Sequence, residues 1–157
     1  MNDDLQALRF LLAQAERQRD DALAAQMTAE AAERAAVDQA EQLLVYRREY
    51  EQRWSAEFCR DGKIELVRCY QGFMERLSLA VDQQARIAAQ AVLQAQRATE
   101  RVQGHEMRTA ALRKLLERRS GEAIRLGQQR EQRQSDDQAA RAAWARMNAA
   151  RPPVTRL

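Results

Sequence analysis

From Val67 onward one set of positions recurs at intervals of three and four with almost no slip: Val67, Tyr70, Met74, Leu77, Val81, Gln84, Ala88, Ala91, Ala95, Ala98, Val102, His105, Thr109, Leu112 and Leu116. Most of them are apolar. A spacing that averages 3.5 residues keeps its positions on one face of an α-helix only if the helix winds around a partner, so seven heptads of it describe a coiled-coil seam. The first part of the chain repeats the pattern more weakly, through Leu5, Leu8, Leu12, Ala15, Ala22, Ala29, Ala36, Ala40, Leu43 and Tyr50, with Arg19, Gln26 and Glu33 interrupting it. Helix breakers are scarce. Among 157 residues there are five glycines and two prolines, and both prolines, Pro152 and Pro153, fall in the tail. The fold class is therefore all-α, and thirty alanines in place of bulky side chains argue for a narrow coil over a globular core.

Two seams need a reversal between them. The segment CRDGK, Cys59 to Lys63, holds Asp61-Gly62, the first strong turn signal of the chain, because glycine can adopt the left-handed conformation that ends a helix. The expected architecture is a long antiparallel two-helix coiled-coil hairpin: residues 1–58 as the first helix, 59–63 as the turn, 64–150 as the second helix and 151–157 as a tail. In that register facing residues have numbers that sum to roughly 123. Tyr50 then meets Phe73, Leu12 meets Leu112, Leu8 meets Leu115 or Leu116, and the alanines from Ala22 to Ala40 lie against those from Ala85 to Ala98. Small residues facing small ones let helices approach closely, while leucines and aromatics fill the two ends. At 1.5 Å per residue the first helix is roughly 80 Å long and the second roughly 130 Å, so the second overhangs the first.

Several function classes fall away. No window approaches the roughly 18 uninterrupted apolar residues of a membrane span, and the start, MNDDLQALRF, is acidic where a secretory signal is basic. It reads as a helix start, with Asn2 or Asp3 capping the first-turn amides. Cys59 and Cys69 are too few for a disulfide framework and lack the companions of a zinc site, so they are expected to be free thiols, buried or partly so. His105, the single histidine, takes a seam position without a nucleophile to serve. The five glycines are isolated, so no phosphate-binding loop exists. A two-stranded coil also has almost no interior in which to shift a pKa or exclude water. No catalytic residue, cofactor or metal is expected.

Charge divides unevenly. Residues 1–103 hold 14 Lys or Arg against 17 Asp or Glu, whereas residues 104–157 hold 12 against 6. A basic carboxyl-terminal arm suits an acidic partner. Its arginines are interleaved with acids and lack an aromatic platform for bases, so nucleic acid is not the expected partner.

Aromatic residues cluster where the hairpin turns. Six of the eight lie between Tyr46 and Phe73, beginning in LLVYRREYEQRW, residues 43–54. These residues could simply thicken the core beside the turn. However, Gln39, Leu43, Tyr46 and Tyr50 step by four, three and four, and so do Phe73, Leu77, Ala80 and Gln84 on the return helix. The eight make one two-helix band, and Val45, Met74, Val81 and Trp54 add apolar surface rotated away from it. One narrow seam cannot bury all of this, so part of the aromatic surface is expected to stay accessible as a docking face.

LLVYRREY followed, after a short turn, by YQGFMERLSLAVDQQ resembles the flagellar export protein FliJ family. The likeness covers nearly the whole chain, including the acidic helical start, the YRREY block, the GF-x-x-L segment and the alanine- and glutamine-rich return helix. It implies a non-enzymatic, stalk-like coiled coil of the cytoplasmic ATPase complex of the flagellar type III export apparatus, peripherally associated with the inner membrane at the flagellar base. The implied partners are the export ATPase hexamer, the export gate's cytoplasmic subunit and the flagellar export chaperones, which the protein helps to recycle. It also implies that Gln39, Leu43, Tyr46, Tyr50, Phe73, Leu77, Ala80 and Gln84 face the gate, and that residues 1–20 and about 115–150 form the end that enters the ATPase ring. Two alternatives stand beside this reading. One is the equivalent stalk protein of a virulence-type injectisome, and the other is a nucleic-acid-binding or scaffolding coiled coil.

Overall fold

A computed structural model describes residues 2–60 and 62–153. The described chain is two helices packed on each other, α1 (Asn2–Phe58) and α2 (Ile64–Ala149), with no strand among the described residues. Asp3 and Asp4 occupy the first turn of α1 and Arg146 the last turn of α2, each with the sign that opposes the local helix dipole. α1 closes with a tightened turn in which the Arg60 amide donates to the Glu57 carbonyl at 2.9 Å. α2 begins when the Val67 amide reaches the Lys63 carbonyl at 3.2 Å. Asp61 lies outside the described residues. No described glycine has a positive φ, so the left-handed glycine expected at this turn is not found there. At the other end, two residues, Ala150 and Arg151, separate the last helical one from Pro152 and Pro153, and residues 154–157 of the expected tail lie outside the described residues.

The two helices fall into two units. Residues 14–109 form one, and the described residues of 1–13 and 110–157 form the other. Within the first, three cross-helix contacts establish direction and register. Tyr50 stacks on Phe73 with ring centroids 4.5 Å apart. Gln84 Nε2 donates to Gln39 Oε1 at 3.2 Å, and Gln26 Nε2 donates to Thr99 Oγ1 at 3.1 Å. As one partner's number falls the other's rises, which is an antiparallel pair in the register read from the sequence.

Burial follows the three-four spacing closely. Every α2 seam position from Val67 to Leu116 is buried or half-buried, with Leu77, Val81, Ala88, Ala95, Ala98, Val102 and Thr109 the deepest. On α1 the deepest are Ala15 and Ala36. Arg19, Gln26 and Glu33, which interrupt the first seam in sequence, occupy it in space and are half-buried. Gln26 is accommodated through its bond to Thr99, whose own hydroxyl donates to the Ala95 carbonyl. Hydrogen bonding is what makes a polar residue tolerable at such a position.

In the second unit Leu5, Leu8 and Leu12 on α1 and Leu112 and Leu116 on α2 are half-buried, while Leu115 is exposed. Leu116, not Leu115, therefore continues the seam. The half-buried stripe runs on through Ser120, Ala123 and Gly127, a stretch too polar and small to be noticed in the sequence. From residue 131 to 149 every position is exposed, although the backbone stays helical.

Candidate functional site

The turn end of residues 14–109 is built on an aromatic ladder. Tyr46, Tyr50, Trp54 and Phe58 are spaced by four, which stacks them along one side of α1. Successive ring centroids are 5.4, 6.2 and 5.5 Å apart. α2 contributes Phe73 against Tyr50, and Tyr70 against both Trp54 (5.6 Å) and Phe58 (5.1 Å, edge-on). Aromatic pairs at these separations add about 0.5–1.5 kcal/mol each beyond the area they bury. The ladder thus clamps the helices where the chain reverses. A small cavity of about 270 Å³ opens beside it, lined by Trp54, Glu57, Phe58, Arg60 and Leu66.

The eight residues of the expected band are not equivalent. Leu77 is buried, 7% exposed, and belongs to the seam. Leu43, Tyr50, Phe73 and Gln84 are half-buried. Gln39, Tyr46 and Ala80 are exposed, Tyr46 at 45%. Two cross-helix pairs tie the band together, Tyr50 to Phe73 and Gln84 to Gln39, and Gln84 also donates to the Ala36 carbonyl at 3.4 Å. The result is a polar clasp and an aromatic clasp on the same flank of the coil, with the Tyr46 ring leaning on Tyr50 and open to solvent. Alongside Tyr46 runs a shallow groove of about 440 Å³ walled by Asp38, Glu41, Val45 and Glu49. Its chemistry is apolar with an acidic rim.

Of the four residues expected to add accessible apolar surface, Val45 is exposed and Met74 and Trp54 are half-buried, but Val81 is buried in the seam. The correction has a simple cause. Val81 lies four residues after Leu77, within about 40° of it around the helix, and so shares its inward direction. The cysteines also depart from expectation: Cys59 and Cys69 are both exposed. Cys59 follows the end of α1 in the turn, and Cys69 is rotated off the face on which its neighbour Tyr70 packs. Missed in the sequence was the continuation of the ladder through Trp54, Phe58 and Tyr70, although the four-residue spacing of Tyr46, Tyr50, Trp54 and Phe58 could have revealed it.

Among the described residues no group of three His, Cys, Asp or Glu side chains could hold a metal ion, and no helix is long and apolar enough to cross a membrane. The family model described as flagellar FliJ protein matches residues 5–148. The chain belongs to that family. Membership makes it a protein associated with flagellar export, in a family of non-enzymatic components of the export apparatus. No curated protein and no solved structure matches the chain. The matched span takes in both helices and their turn, so the likeness of YRREY and GFMERL extends to the whole hairpin.

Proposed function

We propose that the protein is a stalk-like coiled coil of the flagellar type III export ATPase complex, peripheral to the inner membrane at the flagellar base. It binds the hexameric export ATPase through the far ends of its helices and the export gate's cytoplasmic subunit through the band near the turn. It also helps recycle substrate chaperones. The observation that carries this reading is the family match across residues 5–148. The gate-facing role of Gln39, Leu43, Tyr46, Tyr50, Phe73, Leu77, Ala80 and Gln84 is supported by the exposure of Tyr46, Gln39 and Ala80 beside the Tyr50–Phe73 and Gln39–Gln84 pairs. The basic, exposed carboxyl-terminal part of α2 supports the ATPase contact.

Reconstitution with purified export ATPase and gate subunit tests both halves. Tyr46 is largely outside the core, so Tyr46→Ala should cost the free protein about 1 kcal/mol or less while weakening gate binding by about 2 kcal/mol or more if the ring anchors the interface. Phe73→Ala should likewise reduce binding beyond its effect on melting. Leu77→Ala is the control: this side chain is buried, so its removal should cost about 2–5 kcal/mol in stability. Gate binding that survives Tyr46→Ala, or that falls only in step with unfolding across all three variants, would remove the docking face. Chains lacking residues 1–12 or 127–157 should fail to stimulate ATP hydrolysis, and normal stimulation by both would remove the assignment of the ends.

A further inference from the structure

The flank of the coil opposite the Tyr46 band carries a second groove. From Leu43 in the α1 seam, Tyr46 is rotated about 60° to one side and Glu51 about 80° to the other; from Leu77 in α2, Phe73 and Met74 diverge in the same way. On the Glu51 and Met74 side lies a cleft of about 840 Å³. Its apolar lining is Tyr70, Met74 and Leu79, with Leu79 exposed to 69%, and Gln71 and Ser78 add neutral polar groups. Each helix contributes acidic lining: Glu51 on α1, and Glu75 and Asp82 on α2. Glu51 has Arg47 at 3.8 Å, whereas among the described residues Glu75 and Asp82 have no ion-pair partner. Such a cleft fits an amphipathic helix that is basic along both edges.

The chain itself carries one. Ala140, Ala143, Trp144 and Met147 follow the i, i+3, i+4, i+7 spacing of a single apolar stripe on α2. Trp144 is 68% and Met147 71% exposed. Arg141 and Arg146 border the stripe on its two sides, Arg151 follows it, and no acidic residue occurs from 138 to 151. Among the described residues none covers this segment, where every position from 131 to 149 is exposed. The lengths are comparable: Tyr70 to Asp82 spans roughly 18 Å of helix and Ala140 to Ala149 roughly 14 Å.

We propose that two copies of the chain associate by exchanging arms, the Trp144–Met147 stripe of each lying in the Glu75–Asp82 groove of the other. The exchange is reciprocal, so two contacts close a dimer and leave no open end to propagate. Steering is electrostatic and the anchor is the tryptophan, the residue type that most often dominates such contacts. This inference does not depend on which apparatus the protein serves. It has a consequence for the proposed function, because the arm that would enter an ATPase ring is covered in the dimer and exposed in the monomer.

Sedimentation of the full chain tests it. A concentration-dependent dimer is expected in about 50 mM salt, and it should dissociate near about 500 mM, where screening shortens the reach of exposed charges. The double variants Glu75→Lys with Asp82→Lys, and Arg141→Glu with Arg146→Glu, replace only exposed residues. Each should keep its helical circular dichroism and weaken self-association about tenfold or more, since like charges then face each other. Mixing the two variants pairs every groove with an arm of opposite sign and should restore a heterodimer. A monomer at all concentrations in low salt would overturn the proposal. So would a dimer indifferent to both variants, or two variants that do not rescue each other on mixing.

Discussion

Thr109 is the one buried polar side chain of the seam, 2% exposed, and among the described residues its Oγ1 has no hydrogen-bond partner. A buried hydroxyl without a partner costs about 1–3 kcal/mol of lost hydration, and a same-shaped apolar group avoids that cost. Thr109→Val should therefore raise stability by about 1 kcal/mol, read as a higher melting temperature in thermal circular dichroism. A lower melting temperature would mean that the hydroxyl is bonded in solution. Its contrast with Gln26 and Gln84 is instructive. All three are polar residues at seam positions, but the two glutamines are long enough to reach across to Thr99 and Gln39. The sequence presents Gln26 as an interruption because its partner lies 73 residues away, and no local pattern reports a contact at that separation. The exposure of Cys59 and Cys69 was hidden for a similar reason, since a thiol's burial depends on which flank of the pair it meets.

At the level of the helices, alanine decides how close they come. Ala36 on α1 and Ala88, Ala95 and Ala98 on α2 are each buried although their side chains are a single methyl. A methyl is buried only where the opposing backbone is near, so these layers admit nothing larger without moving the helices. Ala95, 4% exposed, is the sharpest test. Ala95→Leu should destabilise the pair by about 1–3 kcal/mol despite leucine's good helix propensity, measured by urea unfolding. An unchanged or increased midpoint would show that the layer is loose. The matching of small with small along both helices was legible in the sequence, and so was the register, because residue size is a local property that can be laid out against any trial pairing. The aromatic cap was legible only in part. Tyr50 against Phe73 follows from the register, whereas Tyr70 against both Trp54 and Phe58 depends on how large rings fill the space beside a turn.

For the molecule as a whole, burial and charge are separated along the chain. The buried seam residues lie between Ala15 and Thr109, the excess of arginine lies after residue 104, and positions 131–149 are wholly exposed. An exposed helical extension adds little to the stability of what precedes it, since helices in water are held chiefly by packing of an apolar face. Ending the chain after Arg130 should accordingly change the unfolding free energy of the monomer, measured in about 500 mM salt, by less than about 1 kcal/mol, and a larger loss there would mean that the arm packs on its own hairpin. The sequence by itself determined the all-helical class, the place of reversal and the antiparallel register. These follow from the 3.5-residue period, the dearth of glycine and proline, and the matching of side-chain size, all of which are properties of position along a helix. Tertiary structure alone decided which band residues are core and which are surface. Leu77, Val81 and Tyr46 look alike as apolar letters. They part company because two helices share a single line of contact, and a rotation of tens of degrees around that line separates a side chain pressed between helices from one that a partner can reach.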